Sequence, residues 1–106
     1  MSKHRSQKDG ALAALQNKET VAQFTAAQAL LKRHLVHTRE IPNGKDFLFL
    51  GPQEELHNAL KLVVEVEHAS GRPLHFNYVE VDQYFLLRVS GPEAEQQIIA
   101  AYFEYP

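Results

Sequence analysis

The sequence predicts a single α+β domain: an N-terminal helix followed by two ββα units, whose four strands form a mostly antiparallel sheet with the helices packed on one face. Three observations predict it. Segments with apolar residues at helical spacing alternate with segments of period two. Two Gly-Pro steps, Gly51-Pro52 and Gly91-Pro92, each lead from a strand-like run into an acidic helical turn. A chain of 106 residues, 44% of them hydrophobic, is enough for one core.

Residues 1–9 (MSKHRSQKD) read as a mobile basic tail and 10–106 as the domain. Helical signal starts at Ala11 and is firm from Thr20, which with Gln23 has the spacing of a capping box. Val21, Phe24, Leu31 and Leu35 fall on one stripe, which should be buried. Ile41-Pro42-Asn43-Gly44 follows as a turn with Gly in the left-handed position. It suits a three-residue hairpin loop with a bulge between strands at about 35–41 and 47–50. Pro52 with Glu54 and Glu55 opens a second helix, whose apolar face is Leu56, Ala59, Leu60, Val63 and Val66 and which stops near Ser70-Gly71.

Segments 74–81 and 84–90 alternate with period two and are rich in aromatic and β-branched residues. Asp82-Gln83 is a weak turn signal, so the register of this hairpin stays open. If the loop has two residues, Phe76, Tyr78, Phe85, Leu87 and Val89 share the core face. The other face then carries His75, Asn77, Val79, Val81, Tyr84, Leu86 and Arg88, which is half apolar. A last helix is expected from the second Gly-Pro step through about Phe103. The segments 35–70 and 74–106 follow one plan, either as a degenerate duplication or as one local solution used twice.

Composition removes whole classes of chemistry. There is no cysteine, which excludes disulfides, thiolate nucleophiles and Cys-based metal sites, and favours a reducing compartment. No apolar run is long enough for a membrane span, and the polar, basic start is unlike a secretory signal, so a cytoplasmic location is expected. No phosphate-cradling glycine loop, dinucleotide fingerprint or nucleophile elbow occurs. Glu54-x-x-His57 and Glu65-x-x-His68 have the spacing of di-iron ligands. They sit eleven residues apart on one helix, about 16 Å of rise, and cannot share a centre. His34, His37 and Glu40 lack a spacing that fixes three ligands. No metal site, cofactor or catalytic residue is therefore assigned, although a spatially assembled acid/base pair leaves no mark in sequence.

What the sequence offers is surface. The net charge of −2 divides into eight Lys/Arg and three Asp/Glu through Lys45, then three Lys/Arg and ten Asp/Glu. Three candidate regions follow. The first is a binding cluster of His75, Asn77, Tyr84 and Arg88 on the outer sheet face, with Arg88 otherwise lying over its neighbours and paired with Glu65 or Glu80. The second is an interface at Tyr102, Phe103 and Tyr105, because the last helix is apolar on nearly every side. The third is a nucleic-acid contact through Lys3, Arg5, Lys8, Lys32 and Arg33. The expected function is a small cytosolic, non-catalytic interaction or regulatory domain that forms a homodimer or binds another protein. A nucleic-acid-associated protein is the alternative.

Overall fold

The computed structural model describes residues 18–104. The elements run α1 (Lys18–Arg33), β1 (Leu35–Ile41), β2 (Gly44–Phe49), α2 (Gln53–Ala69), β3 (His75–Val81), β4 (Tyr84–Ser90), a single 3₁₀ turn (Glu93–Glu95) and α3 (Gln96–Ala100). The four strands form one sheet in the order β1-β2-β4-β3, antiparallel at every step. The α+β class, the hairpin-helix order and the antiparallel sheet are as the sequence predicts. The basic tail at 1–9 lies outside the described residues.

One face of the sheet and the helices make the core. Phe47, Phe49, Phe76, Phe85, Leu87 and Val89 project from the strands to meet Leu56, Leu60 and Val63 of α2 and Ile99 of α3, all buried. The alternation that puts these side chains inward necessarily puts their neighbours outward. Tyr102 and Phe103 close the aromatic centre: Phe103 meets Phe47 edge-on at 5.1 Å and Phe49 at 5.6 Å, while Tyr102 meets Phe76 at 5.5 Å. Helix α1 packs chiefly against α2.

Several local expectations change. Lys18 is already helical, so Thr20 sits inside the helix and not at its N-cap position. The inward stripe of α1 is Ala27 and Leu31, both buried, with Phe24 and Gln28 partly so, at helical spacing; Val21 is 42% exposed and Leu35 belongs to β1. The first hairpin has a two-residue loop, Pro42-Asn43, because Ile41 pairs with Gly44, and it is Asn43 that takes the left-handed conformation, at φ 65°. The bulge lies at the far end of β1, where the register shifts between Leu35 and His37. Gly44 serves close approach instead: a Cβ there would stand 2.1 Å from the Val89 carbonyl oxygen. The second hairpin has the two-residue loop, with Val81 opposite Tyr84 and Asp82 at φ 56°.

The last helix is shorter than expected. It ends at Ala100, and residues 101–103 turn, with Phe103 at φ 66°, which swings both aromatic rings under the sheet. In α2, Leu56, Ala59, Leu60 and Val63 are buried as the periodicity requires, Val66 partly, and Glu67 fully.

Candidate functional site

No described helix covers the outer face of the sheet. Across its middle runs one row contributed by all four strands: Arg39 of β1 pairs with Asp46 of β2, Asp46 with Arg88 of β4, and Arg88 with Asn77 of β3. Residues on one rung and one face lie close enough for their side chains to meet. Arg88 donates from Nε to Asp46 Oδ1 at 2.8 Å and from Nη2 to Oδ2 at 2.9 Å. Arg39 donates from Nη2 to the same Oδ2 at 2.9 Å. The carboxylate is thus gripped by a fork from one side and a third donor from the other.

Asp46 is 2% exposed although it stands on an uncovered face, because the two guanidinium groups lie over it. The Arg88 hydrogen bonds, opposed by burial and aided by Arg39, hold its carboxyl below the ordinary value. The arginines remain open to solvent, with side chains 64% and 49% exposed. Each guanidinium has five N–H donors. After Asp46 is satisfied, Arg88 keeps its Nη1 donors and Arg39 its Nε and Nη1 donors without a partner among the described residues. Two fixed cations share one buried anion, and the balance faces outward.

An apolar row lies next to the charged one: Leu48 of β2 and Leu86 of β4 pair, with His37 and Val79 at its ends. His37, Arg39, Asp46, Leu48 and Leu86 line an open concavity of about 230 Å³. The site is therefore a shallow hollow with a cationic wall and an aliphatic floor.

The structure joins some of the expected binding residues and separates others. Arg88 and Asn77 share the charged rung, as the two-residue loop requires. Its acidic partner is Asp46; Glu65 and Glu80 do not pair with it. His75 stands one rung beyond on the same face, opposite Ser90, while Tyr84 is at the other end, opposite Val81. Asp46 and Leu48 escape sequence reading, which weighs His37 only against a metal centre and Arg39 only as a phosphate contact. A lone Asp inside an alternating strand, where Asp is disfavoured, was the available signal. That β2 and β4 are neighbours could not be read from either hairpin.

The expected C-terminal interface fares differently. Tyr102 and Phe103 are 5% and 7% exposed, so the chain's own core absorbs the apolar surface that called for a partner there; Tyr105 lies outside the described residues. Tyr102 donates a hydrogen bond to Glu67 Oε2 and accepts one from Gln28 Nε2 at 3.2 Å. Burial first, and the neighbouring Glu67 second, push its phenol pKa far upward. Of the nucleic-acid candidates, Lys32 and Arg33 end α1 and are exposed, and Lys3, Arg5 and Lys8 lie outside the described residues. His57 stacks on Phe85 at 6.1 Å and His68 meets Phe76 edge-on at 6.3 Å, which gives both histidines packing roles. Among the described residues no group of three His, Cys, Asp or Glu side chains is placed to hold a metal ion, and no helix is long and apolar enough to cross a membrane.

No protein-family model, no curated protein and no solved structure matches this chain.

Proposed function

We propose that the chain is a non-catalytic interaction module of the cytosol, whose outer sheet face engages an acidic, apolar segment of a partner protein. The observation that carries this reading is the Arg39–Asp46–Arg88 row beside Leu48 and Leu86. Guanidinium groups prefer carboxylates, which match their planar fork. Here they are held in place before any ligand arrives, so a partner carboxylate spends little entropy on ordering them. The aliphatic floor supplies area for affinity and the cations supply orientation.

Charge identifies the occupant further. Residues 18–104 carry eight Lys/Arg against twelve Asp/Glu, yet the strand positions on this face hold two arginines and a single acid. The face is a cationic island on an acidic domain and attracts acidic groups of limited extent. The chain's own N-terminal segment, with Lys3, Arg5 and Lys8 against Asp9, has the wrong sign. A long polyanion would meet the acidic remainder of the domain, and among the described residues the face offers a single tyrosine, the half-buried Tyr84, for base stacking.

The test uses a fluorescein-labelled peptide alternating Glu with Leu, its Gln-for-Glu counterpart, and a labelled single-stranded oligonucleotide, each titrated with the full chain. The Glu peptide binds and the Gln peptide does not. Arg88→Gln and Arg39→Gln each weaken binding by about tenfold to a hundredfold, the range for lost charged hydrogen bonds, without changing the melting temperature appreciably. Equal binding of the Gln peptide, or preference for the oligonucleotide, overturns the reading.

A further inference from the structure

The strand order leaves β1 and β3 at the two edges of the sheet, and they differ in how they are protected. Edge strands expose unpaired backbone donors and acceptors, and proteins usually blunt them with bulges, prolines or lysines. β1 is blunted: its register breaks at Val36, and Pro42 follows its last residue. β3, His-Phe-Asn-Tyr-Val-Glu-Val, pairs with β4 in unbroken register over all seven residues and contains no bulge, proline or lysine. Its Val79 and Val81 are 52% and 48% exposed. This edge is regular, half apolar on its outer side, and its one blunting feature among the described residues is the Glu80 charge.

We propose that β3 pairs antiparallel with β3 of a second copy, centred on Val79, to make a continuous eight-stranded sheet. The sequence of β3 is self-complementary in that register. Val79 faces its own copy, Asn77 faces Val81, and Tyr78 faces Glu80, with side chains of each pair on the same side of the sheet. Tyr78 hydroxyl and Glu80 carboxylate, neither of which has a polar partner among the described residues, become donor and acceptor for each other. Centring on Glu80 would set the two carboxylates face to face. Centring on Tyr78 would put Glu80 against Phe76, whose side chain is buried in its own core. The two-fold axis closes the assembly at two copies, because each β3 has a single free side. This pairing stands independently of the outer-face reading and places two Arg39–Asp46–Arg88 rows on one face of the dimer.

Absence of native cysteine makes the register directly measurable. The Cα atoms of a directly opposed pair lie about 4.5–5.5 Å apart, within disulfide reach. Val79→Cys therefore forms a disulfide-linked dimer under mild oxidation, whereas Val36→Cys, equally exposed on the other edge, does not. Wild-type full chain sediments as a dimer in the micromolar range. Val79→Lys sediments as a monomer with an unchanged circular dichroism spectrum, and Val36→Lys remains a dimer. A monomeric wild type, a Val79→Lys variant that stays dimeric, or Val36→Cys cross-linking as readily as Val79→Cys overturns the proposal. Should Val79→Lys not fold, the cysteine pair decides. A monomeric wild type that still binds the Glu-Leu peptide would remove the pairing and leave the outer-face site standing.

Discussion

Asp46 and Glu67 are equally withdrawn from water, at 2% and 5% exposure, and they are satisfied in opposite ways. Asp46 stands on the open face of the sheet and owes its burial to two arginines lying over it. Glu67 stands beneath the helices and takes a proton donor that is neutral, the Tyr102 hydroxyl, with Arg72 Nη1 more distant at 3.8 Å. Around Glu67 the contacts tie α1 (Gln28), α2 and the C-terminal turn into one unit. Around Asp46 they tie three strands and leave cationic surface facing outward. An ionised group surrounded by charge at the surface is cheap to keep and available to a ligand. A carboxylate inside a core is costly to keep unless every bond is made. The difference separates a residue that holds the fold from one that arranges the proposed binding face.

Removing the Tyr102 ring should have the largest effect. Tyr102→Ala strips the aromatic centre and the Glu67 donor together, and costs at least the ~3–5 kcal/mol of a core aromatic. Tyr102→Phe keeps the ring and leaves Glu67 without its donor, lowering stability in urea by about 1–3 kcal/mol. A cost near zero would show that Glu67 does not depend on that bond.

The pH limbs sharpen the contrast. Tyr102 has its pKa raised by folding, so its contribution is complete below the unfolded value of about 10 and is lost as pH rises above it. Wild type therefore weakens in alkali more steeply than Tyr102→Phe. Asp46 has its pKa lowered, so its contribution is present above the unfolded value of about 3.9 and is lost as pH falls through the folded one. Asp46→Asn flattens the limb below about pH 4, seen by thermal melts in acid. It costs little near neutrality, at most ~1 kcal/mol for pairs whose arginines are this exposed. Similar acid limbs in the two proteins would show that Asp46 is not clamped in solution.

These effects also mark how far the sequence could be read. Period-two alternation located β3 and β4 and their core face, because Phe76, Phe85, Leu87 and Val89 are inward for reasons local to one hairpin. Gly-Pro steps and acidic turns located the start of α2 for the same reason. Arg88 and Asn77 were legible as a cluster on one face, since they lie on adjacent strands with a short loop. Asp46 was not, because it meets Arg88 across forty-two residues and only through the β2–β4 pairing. Glu67 was hidden likewise: it follows Leu60 and Val63 along the buried stripe of α2, but its partner Tyr102 reaches it only because α3 stops at Ala100 and the chain turns inward. Local periodicity fixes faces; it does not fix which hairpins become neighbours.

Arg88→Ala should have the smallest effect on stability and the largest on binding, with a melting temperature close to wild type and the Glu-Leu peptide lost. The most direct measurement is an NMR titration of the isotopically labelled full chain with that peptide, read at the backbone amides and the arginine Nε–H groups. The account predicts shifts concentrated at Arg39, Leu48, Leu86 and Arg88, with the Nε–H signals of both arginines moving together. Shifts centred on the helical side around Glu54, Lys61 and Glu65, or no shifts at all, would contradict it.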